Sequence, residues 1–94
     1  MATIKKLGNF VGNDVELCRT TNETAGAQTV QALMDARIPF TRNSKRIPFF
    51  KREQYNGARE FTVISINPHR YGQARRVIDQ IDTLYRRRLL VSNY

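Results

Sequence analysis

Cysteine and histidine are almost missing from this sequence: its 94 residues hold one of each, Cys18 and His69. A lone cysteine cannot close an internal disulfide, and with a single histidine it cannot complete a Cys/His metal site of the usual spacing. No structural metal and no cofactor are therefore expected. Long apolar runs are missing too, and none approaches the roughly 18 residues of a membrane span. The opening MATIKKLGNFVGND lacks the unbroken apolar stretch of a secretory signal. The expectation is a cytoplasmic protein without a membrane partner. Acidic residues are few, eight against 16 Lys and Arg, which leaves a formal net charge of +8 and a pI near 10.4. Such a balance favours anionic partners: nucleic acid, phosphorylated ligands or acidic protein surfaces.

What is present suffices for one domain. At 40% hydrophobic and 26% charged the chain is globular in composition, and its mean hydropathy of -0.54 implies a modest core. Residues 1–13 carry Gly8, Asn9, Gly12 and Asn13 with no sustained period, which predicts an irregular lead-in with at most a short strand around Phe10. The domain proper is expected over residues 14–94.

Val15, Leu17 and Arg19 alternate with Glu16, Cys18 and Thr20, the period of two of a strand. Next comes a helix: Thr21 or Asn22 can cap it, Glu23 adds negative charge to its first turn, and Ala27, Val30, Leu33 and Met34 recur at helical spacing. Gly26 weakens that helix unless it packs closely on the sheet. The helix must end by Ile38, because the residue before Pro39 is driven to extended backbone, and a strand is expected over Phe40 to Arg42. Asn43-Ser44-Lys45 reads as a turn, and Pro48 makes Ile47 to Phe50 an edge strand or extended loop. The tetrapeptide Arg-Ile-Pro-Phe occurs at both Arg37 and Arg46 without forming a structural repeat.

Asn56-Gly57 is a strong hairpin signal. Phe61 to Ile66 then reads as a buried strand, with Phe61 and Val63 on one face and Ile64 and Ile66 on the other. Asn67 and Pro68 open a second helix with a cap and a first-turn proline. Tyr71, Ala74, Ile78, Ile81 and Tyr85 form its apolar stripe, and Asp82 and Arg86 stand four apart as an ion pair. Leu89 to Tyr94 can add a last strand. The order predicts an α+β domain, a ferredoxin-like βαββα(β) arrangement with both helices on one face of an antiparallel sheet.

The strand VELCRTTN leading into a helix, the helix end Ala36-Arg37-Ile38-Pro39, a basic hairpin, and VISINPHRYGQARRVID resemble a family of small prokaryotic signal-transducing domains related to the PII regulators. The likeness covers roughly Val15 to Ile81. The family tends to carry Gly-Ile-Pro where this chain has Arg37-Ile38-Pro39. Membership implies a regulatory or interaction module without catalysis, and no ligand is carried over.

From the residues themselves no nucleophile, base and orienting group can be assembled. His69 sits in the first turn of the second helix, and Asp79 and Asp82 stand beside Arg75, Arg76 and Arg86. An enzyme is not expected. The binding candidates are cationic. Arg42, Lys45, Arg46, Lys51 and Arg52 lie in a stretch, Arg37 to Arg52, that holds no Asp or Glu, and Arg86, Arg87 and Arg88 form a second cluster. His69 and Arg70 beside a helix N-terminus are candidates for a small anion. The first reading is a self-associating, non-enzymatic regulatory or protein-interaction module, in which a dimer covers the sheet face opposite the helices. The alternative is a nucleic-acid-binding domain using the basic hairpin and the Arg86 to Arg88 cluster, with Phe49, Phe50 and Tyr55 interleaved for stacking. Both clusters also fit plain solvated surface.

Overall fold

A computed structural model describes residues 14–55 and 57–92; the lead-in expected over residues 1–13 lies outside them. Four strands, β1 (Val15–Thr20), β2 (Thr41–Arg46), β3 (Glu60–Ile66) and β4 (Leu90–Val91), form one sheet in the order β2-β3-β1-β4. All three pairings are antiparallel. Helix α1 (Glu23–Asp35) connects β1 to β2, and α2 (Tyr71–Asp79) with α3 (Thr83–Arg86) connects β3 to β4. This is the ferredoxin-like α+β arrangement that the element order predicts.

The core lies between one sheet face and the helices. Leu17, Cys18, Ile64 and Ile66 from the sheet meet Ala25 and Leu33 of α1, Ala74 and Ile78 of α2, and Leu89 before β4. In an antiparallel ladder directly paired residues share a face. Val15 pairs with Ile66, and Cys18 pairs with Ile64, so these face the helices. Arg19 pairs with Val63, and Phe61 with Lys45, so these occupy the other face. The register slips between Glu16 and Cys18, a bulge at Leu17. It lets Leu17 and Cys18 both enter the core, which strict alternation forbids, and turns Arg19 outward.

Asn22 is the cap of α1, its side-chain oxygen accepting from Ala25 N at 2.8 Å. The buried stripe is Ala25, Gly26, Thr29 and Leu33, whereas Ala27 and Met34 point to solvent. The stripe is thus rotated from the one expected. Gly26 sits against β1, where a Cβ would meet Thr20 Cγ2 at 3.5 Å. At the other end Arg37 N–H donates to Met34 O and Ile38 N–H to Leu33 O, each at 3.0 Å. These two bonds make a Schellman termination, which needs a left-handed residue, and Arg37 supplies it at φ 59°.

Three expectations are corrected along the second half of the sheet. Strand β2 does not stop at Arg42 but runs through Asn43, Ser44 and Lys45, each paired with β3. Ladder bonds to a central strand outweigh the turn preference of these residues, and an edge strand tolerates polar side chains. The β2–β3 ladder ends at Arg46 opposite Glu60, ten residues wide of the hairpin expected at Asn56-Gly57, of which Asn56 lies outside the described residues. Finally Phe49 and Phe50, the end of the edge strand or extended loop expected over Ile47 to Phe50, begin a 3-10 helix, Phe49–Tyr55. Gly57, at φ 82°, then redirects the chain toward β3.

The second helix is also broken where one stripe was expected to continue. Gln80 and Ile81 close α2 with bonds to Val77 O and Ile78 O. Asp82 adopts extended ψ, 132°, and caps α3 by accepting from Leu84 N at 2.9 Å. Asp82 is therefore a cap and not the partner of Arg86, which instead lies 3.7 Å from Asp79. An aspartate gains more by satisfying a free helix N–H than from an exposed ion pair. The break turns the chain so that Leu89, 7% exposed, reaches the core.

Candidate binding surface

The sheet face turned away from the helices is partly covered. Val63 and Ile47 are 4% and 1% exposed yet stand outside the main cluster. The connection over residues 47–59 reaches this face: Tyr55 packs on Phe61 with ring centroids 6.0 Å apart, and Ile47 N–H donates to Arg59 O at 2.8 Å. Arg19 completes this second small core. Its guanidinium carbon lies 4.5 Å from the Phe61 ring centre, and its Nε donates to Glu16 Oε2 at 2.7 Å, with Nη2 bonded to the other carboxylate oxygen. The hydrogen bond from Arg19 holds the Glu16 carboxyl below its ordinary pKa of 4.5. Of Val15, Leu17, Cys18, Phe40, Phe61 and Val63, among which the sequence places the free sheet face, only Phe61 and Val63 lie on it.

Anchored by Ile47 and Tyr55, the 3-10 segment forms an exposed finger with no buried residue. Phe49 and Phe50 at its start are 81% and 77% exposed. Their surroundings are cationic: Arg46 ends β2, Lys51 and Arg52 follow the rings, and Arg52 lies 5.8 Å from the Phe49 ring centre while its Nε donates to Ile47 O at 3.3 Å. Lys51 N–H donates to Pro48 O at 2.8 Å, and Gly57 N–H to Arg52 O at 2.7 Å. The finger is thus built by its own backbone.

Six cations, Arg42, Lys45, Arg46, Lys51, Arg52 and Arg59, stand on the finger and its flanking strand against Glu53 and Glu60. None makes an ion pair within 4.0 Å; among the described residues the pairs are Glu16 with Arg19 and Asp79 with Arg86. Glu60 faces Arg46 across the ladder without reaching that distance. Arg59 was not singled out by sequence because it adjoins Glu60 beyond the acid-free run. On the helix side Arg42 and Arg59 meet Thr20, Ser44 and Thr62 around a groove of about 730 Å³, with Glu23 and Glu60 on its walls. The Thr20 hydroxyl there is already engaged, donating to Arg88 O at 2.7 Å and accepting from Asn22 N.

The other candidates are not brought to this surface. Arg86, Arg87 and Arg88 precede β4, the strand at the opposite sheet edge from β2, and only the Arg88 carbonyl reaches the groove, through Thr20. His69 and Arg70 follow the far end of β3. There the N–H of His69 is already accepted by Asn67 Oδ1 and that of Arg70 by Asn67 O, both at 2.9 Å, and Arg70 Nη2 donates to Arg37 O at 3.3 Å. What these bonds leave over for an anion is Arg70 Nε, buried without a hydrogen-bond partner.

Cys18 is fully buried, and burial, helped by the nearby Glu16 charge, pushes its thiol up to about 12. A thiol held protonated is a poor nucleophile. Among the described residues no group of three His, Cys, Asp or Glu side chains could hold a metal ion, and no helix is long and apolar enough to cross a membrane. Comparison with known proteins gives no match to this chain among family models, curated proteins or solved structures.

Proposed function

We propose that the protein is a non-enzymatic binding module that engages a polyanionic partner through its cationic finger and the adjoining β2 edge. The observation that carries this reading is the set of finger cations with no carboxylate within 4.0 Å among the described residues, Lys45 acting on Glu16 only at longer range. Solvated cations concentrated on one exposed segment attract anions and release counterions when they bind. The same reading agrees with the regulatory role that a kinship to PII-related domains implies.

Two features weigh against the self-association expected from sequence. The sheet face that a dimer would cover is partly occupied, with Val63 4% exposed and Tyr55 packed on Phe61. Pairing two β2 edges would set Arg42, Lys45 and Arg46 of each copy against the same cations, and like charges across a ladder repel.

The test is titration of the protein with labelled dextran sulfate over a range of salt. Affinity falls steeply with salt, and changing Lys45, Arg46, Lys51 and Arg52 to Gln weakens binding and flattens the salt slope, whereas changing Arg86 to Arg88 to Gln has a smaller effect. Equal losses from the two sets of substitutions would remove the finger from its role.

A further inference from the structure

We infer that the polyanion is a single-stranded nucleic acid, with Phe49 and Phe50 as stacking platforms for two of its bases. This rests on the polyanion reading above and adds the chemistry of the partner.

The large exposed apolar side chains Met34, Leu84 and Leu90 belong to the helical layer and the β4 edge; Phe49 and Phe50 are more exposed than any of them. Exposed aromatic pairs are unfavourable in water and call for an explanation. These two do not serve the fold, because Ile47 and Tyr55 anchor the segment. Neighbours on a 3-10 helix point about 120° apart, so the rings diverge and neither covers the other. A convex pair of flat faces suits a partner that itself offers flat faces. A nucleobase does so without needing a cavity, and stacking accepts any base. Phosphates to either side then fall within reach of Arg46, Lys51 and Arg52, where counterion release adds affinity.

Competing anions use the rings less well. A lipid surface gains from a broad apolar face, and the finger offers two rings among Lys and Arg. An acidic peptide would satisfy the charges but would need a pocket for each protruding ring. Duplex bases are stacked on one another and unavailable, so the strand must be single.

The experiment compares, by fluorescence anisotropy at low salt, a thymidylate strand of roughly 12 nucleotides with an abasic strand of the same length and with a duplex. Dextran sulfate and phosphatidylserine vesicles serve as further probes. The thymidylate strand binds about tenfold or more tighter than the abasic one. The double variant Phe49→Ala, Phe50→Ala removes that preference without changing affinity for the abasic strand, and Phe49→Leu with Phe50→Leu does the same, which separates stacking from mere apolarity. Because both rings are exposed, the variants keep the wild-type thermal transition. Equal affinity for the thymidylate and abasic strands would overturn the inference and leave the polyanion reading intact. Binding to none of these strands nor to dextran sulfate would overturn both. Vesicle binding that depends on the two rings, without preference for the base-bearing strand, would assign the rings to lipid and overturn the inference.

Discussion

Replacing Arg37 by glycine should make this protein more stable, although it removes a charged side chain and introduces the most flexible residue. Arg37 holds a left-handed backbone, φ 59°, so that its own N–H and that of Ile38 can satisfy Met34 O and Leu33 O at the end of α1. A side chain in that region costs roughly 1–2 kcal/mol, and glycine does not incur the strain. Against this, glycine enlarges the unfolded ensemble by about 0.4–1 kcal/mol. The exposed Arg37 side chain makes none of the hydrogen bonds or ion pairs described above, while its carbonyl, which accepts from Arg70, remains in the variant. The net gain is about 0.5–1 kcal/mol, or a rise in Tm on the order of 3–7 °C for a domain of this size. Urea denaturation should show a higher midpoint at unchanged slope. Arg37→Ala is the control: it removes the same charge but keeps the strain, and should leave stability nearly unchanged. If Arg37→Gly is no more stable than Arg37→Ala, the left-handed termination is not what α1 uses.

Ile47→Ala should cost about 2–4 kcal/mol in chemical denaturation, because this 1% exposed side chain anchors the finger; a cost below about 0.5 kcal/mol would mean the finger is not packed on the sheet. Glu16 has a lowered pKa, so its stabilisation is present above the ordinary carboxylate value of 4.5 and disappears as pH falls through the folded value. Asp14, raised by burial from 3.8, acts with the opposite sign and favours the folded state at low pH. Acid titration of stability should therefore show a loss below about pH 4.5 that Glu16→Gln abolishes, and an unchanged loss in that variant would refute the assignment. The Cys18 thiol, pushed up to about 12, should resist iodoacetamide at pH 8 in the native protein and react on unfolding. Rapid native alkylation would contradict its burial.

The sheet was legible where local chemistry and tertiary demand agree. Phe61 and Val63 take the face opposite Ile64 and Ile66 because β3 lies centrally, with helices packed on one face and Tyr55 on Phe61 at the other. Asn67 caps as its position before Pro68 suggests. The bulge at Leu17 was not legible, since whether a strand alternates or slips depends on what packs above it. Nor was the strand through Asn43-Ser44-Lys45, whose local preference for a turn is overridden by bonds to β3.

For the candidate surface, composition located the cations and the neighbouring aromatics but not their arrangement. Phe49 and Tyr55 are both aromatic and six positions apart, yet one is 81% exposed and the other packs on Phe61. That division follows from a 3-10 helix anchored at both ends, which no periodicity in so short a segment announces. The Arg86 to Arg88 cluster looked equivalent to the finger by charge alone. Its place beyond β4 follows from the strand order, a property of the whole chain.

The central claim, that one exposed segment and not the general positive charge does the binding, is tested most directly by following backbone amide resonances during titration with a thymidylate strand. Shifts should concentrate at Arg46 to Tyr55 and Arg59, leaving α1, α2 and the Arg86 to Arg88 turn nearly unmoved. Shifts centred on the helices or spread evenly over every cationic patch would contradict it.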